Sequence, residues 1–222
     1  MKLSLGQLTK DNKFIVYMNR NIILLLIVII ILFFFYLGDA KQEGPDVFYI
    51  PNFLDEEDHK QILELDKNKK DFIFEEFRYS KPLENGISYD ILYSDKYLDK
   101  VKRVIPNEIF PSEFPIEHRY YPSESSGMQW HKDLLMYKEP QYEGIFTIRN
   151  TSESVTEWID KDNKIHSLWT EPNSLLIVKA QGSPHHVTPI VKGSREILKI
   201  IYTQTNETNK NYDDEMKRFK DK

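Results

Sequence analysis

Apolar positions fall along this chain in three different patterns. From Ile22 to Leu37 every residue is aliphatic or aromatic, and no polar face interrupts the run. From Val47 to Thr203 short apolar segments alternate with turn-forming residues. From Asn206 to Lys222 polar and charged residues dominate, which predicts a loose or frayed helical tail.

The middle stretch resolves into elements. Val47-Phe48-Tyr49-Ile50 reads as a strand ended by Pro51. Asp55 is the N-cap of a helix predicted to run to about Lys67, with Glu56 and Glu57 at its positive dipole end and Ile62, Leu63 and Leu65 as its apolar contacts. A second helix follows Ser94, where Tyr97, Leu98, Val101, Val104 and Ile105 make one stripe suited to packing on a sheet. Short strands are then predicted over Ile116–Tyr121, Met128–Asp133, Gly144–Arg149, Val155–Ile159, Ser174–Lys179, His185–Ile190 and Glu196–Thr203. Repeated short strands with Gly, Pro, Asn and Ser between them predict a mainly β antiparallel sandwich or barrel with helices flanking it.

The run from Ile22 to Leu37 would make a helix of roughly 24 Å, near the lower limit for crossing a bilayer. A buried core helix and a cleaved signal peptide with Gly38 and Ala40 at its end are the competing readings. The length of the run, its leader of about twenty residues and its uniform apolarity favour an uncleaved transmembrane helix. The expected organisation is a cytosolic leader (1–21), a transmembrane anchor (22–38), a stalk (39–46), one domain (47–205) and the polar tail (206–222). Lys2, Lys10, Lys13 and Arg20 precede the span, so the N-terminus is expected to stay cytosolic and the domain to face a lumen, that of the endoplasmic reticulum or another endomembrane. Two sequons, at Asn150 and Asn206, would then be open to glycosylation.

Composition changes this picture little. A length of 222 residues with 40% hydrophobic content suits one ordinary domain plus appendages. A net charge of −5, mixed along the chain, advertises no nucleic-acid surface. The absence of cysteine removes disulfides, thiolate metal sites and thiol nucleophiles.

The candidate chemistry lies in two fragments. In His131-Lys132-Asp133 the first and third residues point to the same face of a strand and can reach one metal ion. In His185-His186-Val187-Thr188-Pro189-Ile190-Val191-Lys192-Gly193-Ser194-Arg195 a further histidine ligand is followed by an arginine whose planar fork suits a carboxylate. Two histidines and a carboxylate can hold iron(II) and leave positions open for a co-substrate and dioxygen. His185 and His186 face opposite ways on a strand, and geometry alone does not choose between them. Lys199 shares a face with Arg195, which leaves open a secondary carboxylate contact beside the plain structural reading. Trp130 is read as packing, and His59, His118 and His166 as structural or solvent-facing.

These residues carry a resemblance. Pro189, Gly193 and Arg195, read against the ending H-x-x-x-P-V-x-x-G-x-(K/R), resemble the Fe(II)- and 2-oxoglutarate-dependent dioxygenases, and among them the prolyl 4-hydroxylase-like group. Tyr121-Pro122, Gly127, Trp130-His131-Lys132-Asp133 and the segment Phe48 to Glu57 extend it over most of residues 47 to 204. The resemblance implies a double-stranded β-helix (jelly-roll), metal ligands His131, Asp133 and His185, and a 2-oxoglutarate pocket with Arg195 and Tyr121. It implies Fe(II), 2-oxoglutarate and O2 as reactants, succinate and CO2 as products, ascorbate dependence, and a protein or peptide substrate hydroxylated with proline as the first candidate residue. Substrate-groove loops are expected at Ser80–Tyr89 and Tyr137–Tyr142. Two departures stand out. Asn150 to Trp158 lacks a Gly-Gly-Glu segment, and the clamp is arginine where collagen-type enzymes usually have lysine. The alternatives are an oxidative nucleic-acid demethylase, opposed by the acidic balance, and a non-catalytic membrane-tethered binding module, opposed by the intact triad and clamp.

Overall fold

Alternation along the long strands sorts side chains to two faces, and those faces set the architecture. In the computed structural model, residues 45–64, 71–83 and 86–220 are described. The expected anchor at 22–38, the leader before it and most of the stalk lie outside them. Among the described residues no helix is long and apolar enough to cross a membrane.

The elements in chain order are β1 (Val47–Ile50), α1 (Glu56–Glu64), β2 (Ile73–Glu75), β3 (Arg78–Leu83), α2 (Ile87–Leu92), α3 (Asp95–Lys102), β4 (Phe110–Pro111), β5 (Ile116–Tyr121) and β6 (Met128–His131). They continue as β7 (Tyr142–Asn150), β8 (Thr156–Ile159), β9 (Ile165–Leu168), β10 (Ser174–Lys179), β11 (His185–Val187), β12 (Arg195–Thr203) and α4 (Lys210–Lys220). Two antiparallel sheets result. The larger runs β1-β10-β7-β12-β5-β3-β2, with β4 also paired to β12, and the smaller runs β6-β11-β8-β9. This is a mainly β jelly-roll with few helices.

On the outer face of the large sheet, Leu198, Ile200 and Tyr202 of β12, Phe146 and Ile148 of β7, and Leu175 and Ile177 of β10 are buried against α1, α2 and α3. Ile62, Ile91, Leu92, Tyr97, Leu98 and Val101 come from those helices, and each fully buried aliphatic side chain contributes about 1.5–3 kcal/mol. Asp55 caps α1 as expected, its Oδ1 accepting from the Asp58 amide at 3.0 Å. The intervening positions, Arg195, Ile197 and Lys199 of β12 and Glu143 and Ile145 of β7, line an inner cavity together with residues of the small sheet. Helices on one face therefore leave the other free to carry a site.

Several expectations are corrected. Within the expected loop Ser80–Tyr89, Ser80 to Leu83 belong to β3 and Ile87 to Tyr89 to α2, and β3 pairs with β5 from Tyr79↔Tyr120 to Leu83↔Ile116. The tail carries α4, which Tyr212, Met216 and Phe219 dock onto Phe114, Met136, Tyr137 and Ile201. Tyr137 is itself 2% exposed, so the stretch it opens is anchored in that cluster. The helix predicted after Ser94 is α3 and stops at Lys102, leaving Val104 37% exposed and Ile105 buried after the helix ends. Asn150 is buried, donating to the Thr170 carbonyl at 3.0 Å and accepting from Ser152. Its amide is thus unavailable for a glycan in the folded chain, whereas Asn206 is exposed.

Candidate metal centre and its cavity

Pairing in the small sheet brings the predicted ligands together. β11 lies between β6 and β8, with His185 opposite His131 and the two imidazole centroids 4.3 Å apart. β6 ends at His131, so Asp133 sits two residues beyond the strand. Gln181, at φ +59°, fixes that extension: its backbone N–H and its Nε2 both donate to the Asp133 carbonyl, at 3.3 and 2.8 Å. Asp133 Oδ1 lies 3.6 Å from His131 Nε2, and Asp133 Oδ2 lies 3.5 Å from His185 Nε2. One ligand atom from each of the three residues falls within 4.8 Å of the others.

The tautomers are set by the backbone. His131 Nδ1 meets the Gln129 carbonyl at 2.8 Å, and His185 Nδ1 meets the Ser183 carbonyl at 3.1 Å. A carbonyl only accepts, so both Nδ1 atoms carry hydrogen and both Nε2 lone pairs turn toward Asp133. That is the outer-shell pattern which orients metal-binding histidines. Burial pushes the His185 pKa down, against the attraction of Asp133. For Asp133 burial acts upward, but His131, Lys199 and His185 together hold the carboxyl below its ordinary value. The Asp133 carboxylate raises His131. An ionised carboxylate beside imidazole lone pairs is the donor state that a divalent metal requires, and two His with one carboxylate is the set associated with non-haem iron(II).

The neighbouring histidine is excluded from this cluster. His186 faces the other way, its Nε2 2.7 Å from Glu157 Oε2 and its ring 4.1 Å from Trp130. Trp130 is 42% exposed and covers His186 instead of packing in a core. His118 is buried against Glu196 at 2.9 Å, and His166 pairs with Asp160 at 2.6 Å, both structural roles.

A cavity of about 240 Å³ opens beside the three ligands. Arg195, Tyr121, Ser125 and Thr156 give it polar groups, while Ile145, Ile190, Ile197, Leu176 and Val178 supply apolar wall. Arg195 pairs with Tyr121 across β12 and β5. Its guanidinium is buried, its Nε has no hydrogen-bond partner, and its Nη1 reaches Thr156 Oγ1 at 3.4 Å. Burial pushes its pKa down, with Tyr121 opposing. A buried cation so short of partners fits an anionic ligand in the cavity. Gly127 closes this wall at φ +73°, where a Cβ would stand 2.2 Å from the Val187 carbonyl oxygen.

The sequence left Lys199 open as a secondary carboxylate contact, and the structure gives it a partner within the protein. Lys199 Nζ is 2.6 Å from Glu143 Oε2, so a protein carboxylate already neutralises it. The pair belongs to a charged band on the inner sheet face in which Arg119 binds Glu117 through two nitrogens, at 3.2 and 2.9 Å, and Arg218 of α4 reaches Glu117 at 3.4 Å. Gln181, Ser125 and Thr156 also escaped the sequence reading, since nothing in their local sequence marks them.

Glu117 yields a pH-dependent expectation. Burial alone would raise its pKa, but Arg119, Lys199 and Arg218 override that and hold it at about 2, against 4.5 for a free glutamate. A depressed carboxyl contributes stability that is complete above the unfolded value and lost as pH falls toward the folded one. Urea denaturation of the wild type should therefore show stability falling between about pH 4.5 and about 2, and Glu117→Gln should flatten that limb. At neutral pH the variant should lose roughly 3–5 kcal/mol, because Arg119 is left buried without its partner.

No family model matches the sequence, and neither does any curated protein. Solved structures do match in fold. An oxidoreductase of the 2OG-Fe(II) oxygenase family from Burkholderia pseudomallei superposes with a TM-score of 0.62 at 10% identity, over 74% of this chain and 87% of that one. A Pseudomonas putida prolyl-4-hydroxylase gives 0.59 at 10% identity, over 73% and 94%. A Trichoplax adhaerens prolyl hydroxylase in complex with a hypoxia inducible factor oxygen degradation domain peptide fragment gives 0.55 at 16% identity, over 72% and 84%. The chain thus has the fold seen in 2OG-Fe(II) oxygenases, the double-stranded β-helix.

Proposed function

We propose that this chain is an Fe(II)- and 2-oxoglutarate-dependent dioxygenase that hydroxylates a peptidyl residue, proline first among candidates. The carrying observation is the convergence of the His131 and His185 Nε2 atoms on Asp133 beside a cavity that contains the under-partnered Arg195. His131, Asp133 and His185 would hold iron(II), which when bound supplies the activation of dioxygen and the decarboxylation of the 2-oxo acid. Arg195, with Tyr121 and Thr156, would hold the distal carboxylate of 2-oxoglutarate through charge-assisted hydrogen bonds. The aliphatic wall keeps bulk water from the reacting atoms. The peptide assignment is supported by the resemblance of the two motif fragments and by the prolyl hydroxylases among the structures of like fold. The same reading includes ascorbate as reductant and a tether at 22–38 that holds the domain on the lumenal side of a membrane.

The test is turnover of 2-oxoglutarate to succinate by the full chain with Fe(II), alone and with proline-containing peptides. Iron-dependent succinate release that rises with one peptide, together with the gain of one oxygen atom by that peptide, is the expected result. Iron-dependent release that no peptide stimulates would reject the peptidyl substrate, and no release at all would reject the dioxygenase reading.

A further inference from the structure

A second arginine belongs to the same chamber. Arg78 opens β3 and shares a face with Ser80, which pairs with Arg119 of β5. Two residues on, β5 presents Tyr121, whose partner across β12 is Arg195. Alternation thus sets Arg78, Tyr121 and Arg195 on the inner face of three neighbouring strands, and all three line the cavity. The start of β3 is held to this wall: the Phe77 ring stacks 6.2 Å from that of Tyr121, and the Phe77 carbonyl accepts from Ser125 Oγ at 2.8 Å.

The Arg78 guanidinium has few partners for its position. Its side chain is 12% exposed, and its buried Nε has no hydrogen-bond partner. Nη2 reaches Glu75 Oε2 only at 3.5 Å, and that oxygen already accepts from Ser80 Oγ at 2.9 Å. The cation otherwise lies 5.3 Å from the centre of the Phe77 ring. A guanidinium has five N–H donors to satisfy, and leaving them unmet in a low-dielectric chamber is costly unless an anion enters. Arg195 shows the same deficit on the same wall. Two under-satisfied cations flanking one tyrosine describe a carboxylate site gripped from both sides.

We propose that Arg78 is a second binding residue for the distal carboxylate of the 2-oxo acid, acting with Arg195 across Tyr121. The assignment rests on the dioxygenase reading of the site. It predicts that Arg78 discriminates by charge at the far end of the ligand and leaves the metal end untouched.

The experiment titrates 2-oxoglutarate and 2-oxopentanoate, which has the same carbon chain without the distal carboxylate, into the full chain loaded with Fe(II) under nitrogen. Wild type, Arg78→Met and Arg78→Lys are compared by calorimetry. Arg78→Met should weaken 2-oxoglutarate about tenfold or more, the range of a charged hydrogen bond, and leave 2-oxopentanoate within about twofold, with Arg78→Lys recovering part of the loss. Equal weakening of both acids would assign Arg78 a merely structural role, and unchanged 2-oxoglutarate affinity would remove it from the site; either overturns the proposal. Should Arg78→Met fail to fold, Arg78→Gln carries the same expectation. Wild-type protein that binds neither acid would instead overturn the dioxygenase reading.

Discussion

Replacing Asp133 with alanine is expected to abolish iron-dependent succinate formation and to cut metal affinity by more than about a hundredfold, since even outer-shell changes around metal ligands cost ten- to a hundredfold. The reason is geometric and electrostatic together. Asp133 supplies the only carboxylate oxygens that face both His131 and His185 among the described residues, at 3.6 and 3.5 Å. Without it two neutral imidazoles remain, and they offer a divalent ion no charge compensation in a partly dry chamber. The matching control is His186→Ala. His186 pairs with Glu157 on the opposite face, so its removal should leave metal affinity within about threefold while loosening Trp130. Metal content after dialysis and succinate yield read out both variants. Full turnover in Asp133→Ala, or loss of metal in His186→Ala alone, would move the centre elsewhere.

How far the sequence reaches is visible at this pair of histidines. His131 and Asp133 were legible because ligand spacing is local, and Arg195 because its offset from His185 follows one short strand and turn. The choice between His185 and His186 needed either the family resemblance or the partner strands, since only the pairing of β11 with β6 says which face looks inward. β3 was missed for a comparable reason. Pro82 and the turn-formers Asn85 and Gly86 argue against a strand locally, yet pairing with β5 overrides them at the side of the sheet. α4 offers three apolar residues, Tyr212, Met216 and Phe219, among many charges, and their partners Phe114, Met136 and Tyr137 lie some 75 to 105 positions earlier. Lys199 shows the opposite failure. Its face was read correctly, but the counter-charge Glu143 comes from a neighbouring strand and cancels the role its position suggests. Local chemistry survives in a sequence, whereas long-range neutralisation and long-range strand pairing do not.

Arg195→Met should separate binding from stability in opposite directions. Loss of the guanidinium should weaken 2-oxoglutarate by roughly 2–5 kcal/mol, the cost of truncating one partner of a buried charged hydrogen bond, or about thirtyfold and more in Kd. In the absence of ligand the same change removes a buried cation whose Nε is unpartnered among the described residues and whose Nη1 reaches Thr156 Oγ1 only at 3.4 Å. Replacement of buried charge by an apolar side chain of similar size is often neutral or stabilising by about 1–4 kcal/mol. For a domain of this size each kilocalorie moves Tm by about 2–4 °C. The ligand-free variant should therefore melt at or above the wild type, and 2-oxoglutarate with Fe(II) should raise the wild-type Tm far more than that of the variant. Arg195→Lys keeps charge without the planar fork and should fall between them in affinity. A large drop in the melting temperature of ligand-free Arg195→Met would mean that the protein alone satisfies the guanidinium, and the case for an anion pocket built around it would collapse. A gain in stability coupled to loss of binding would instead mark Arg195 as a residue kept at the expense of the empty fold, for the sake of what the cavity holds.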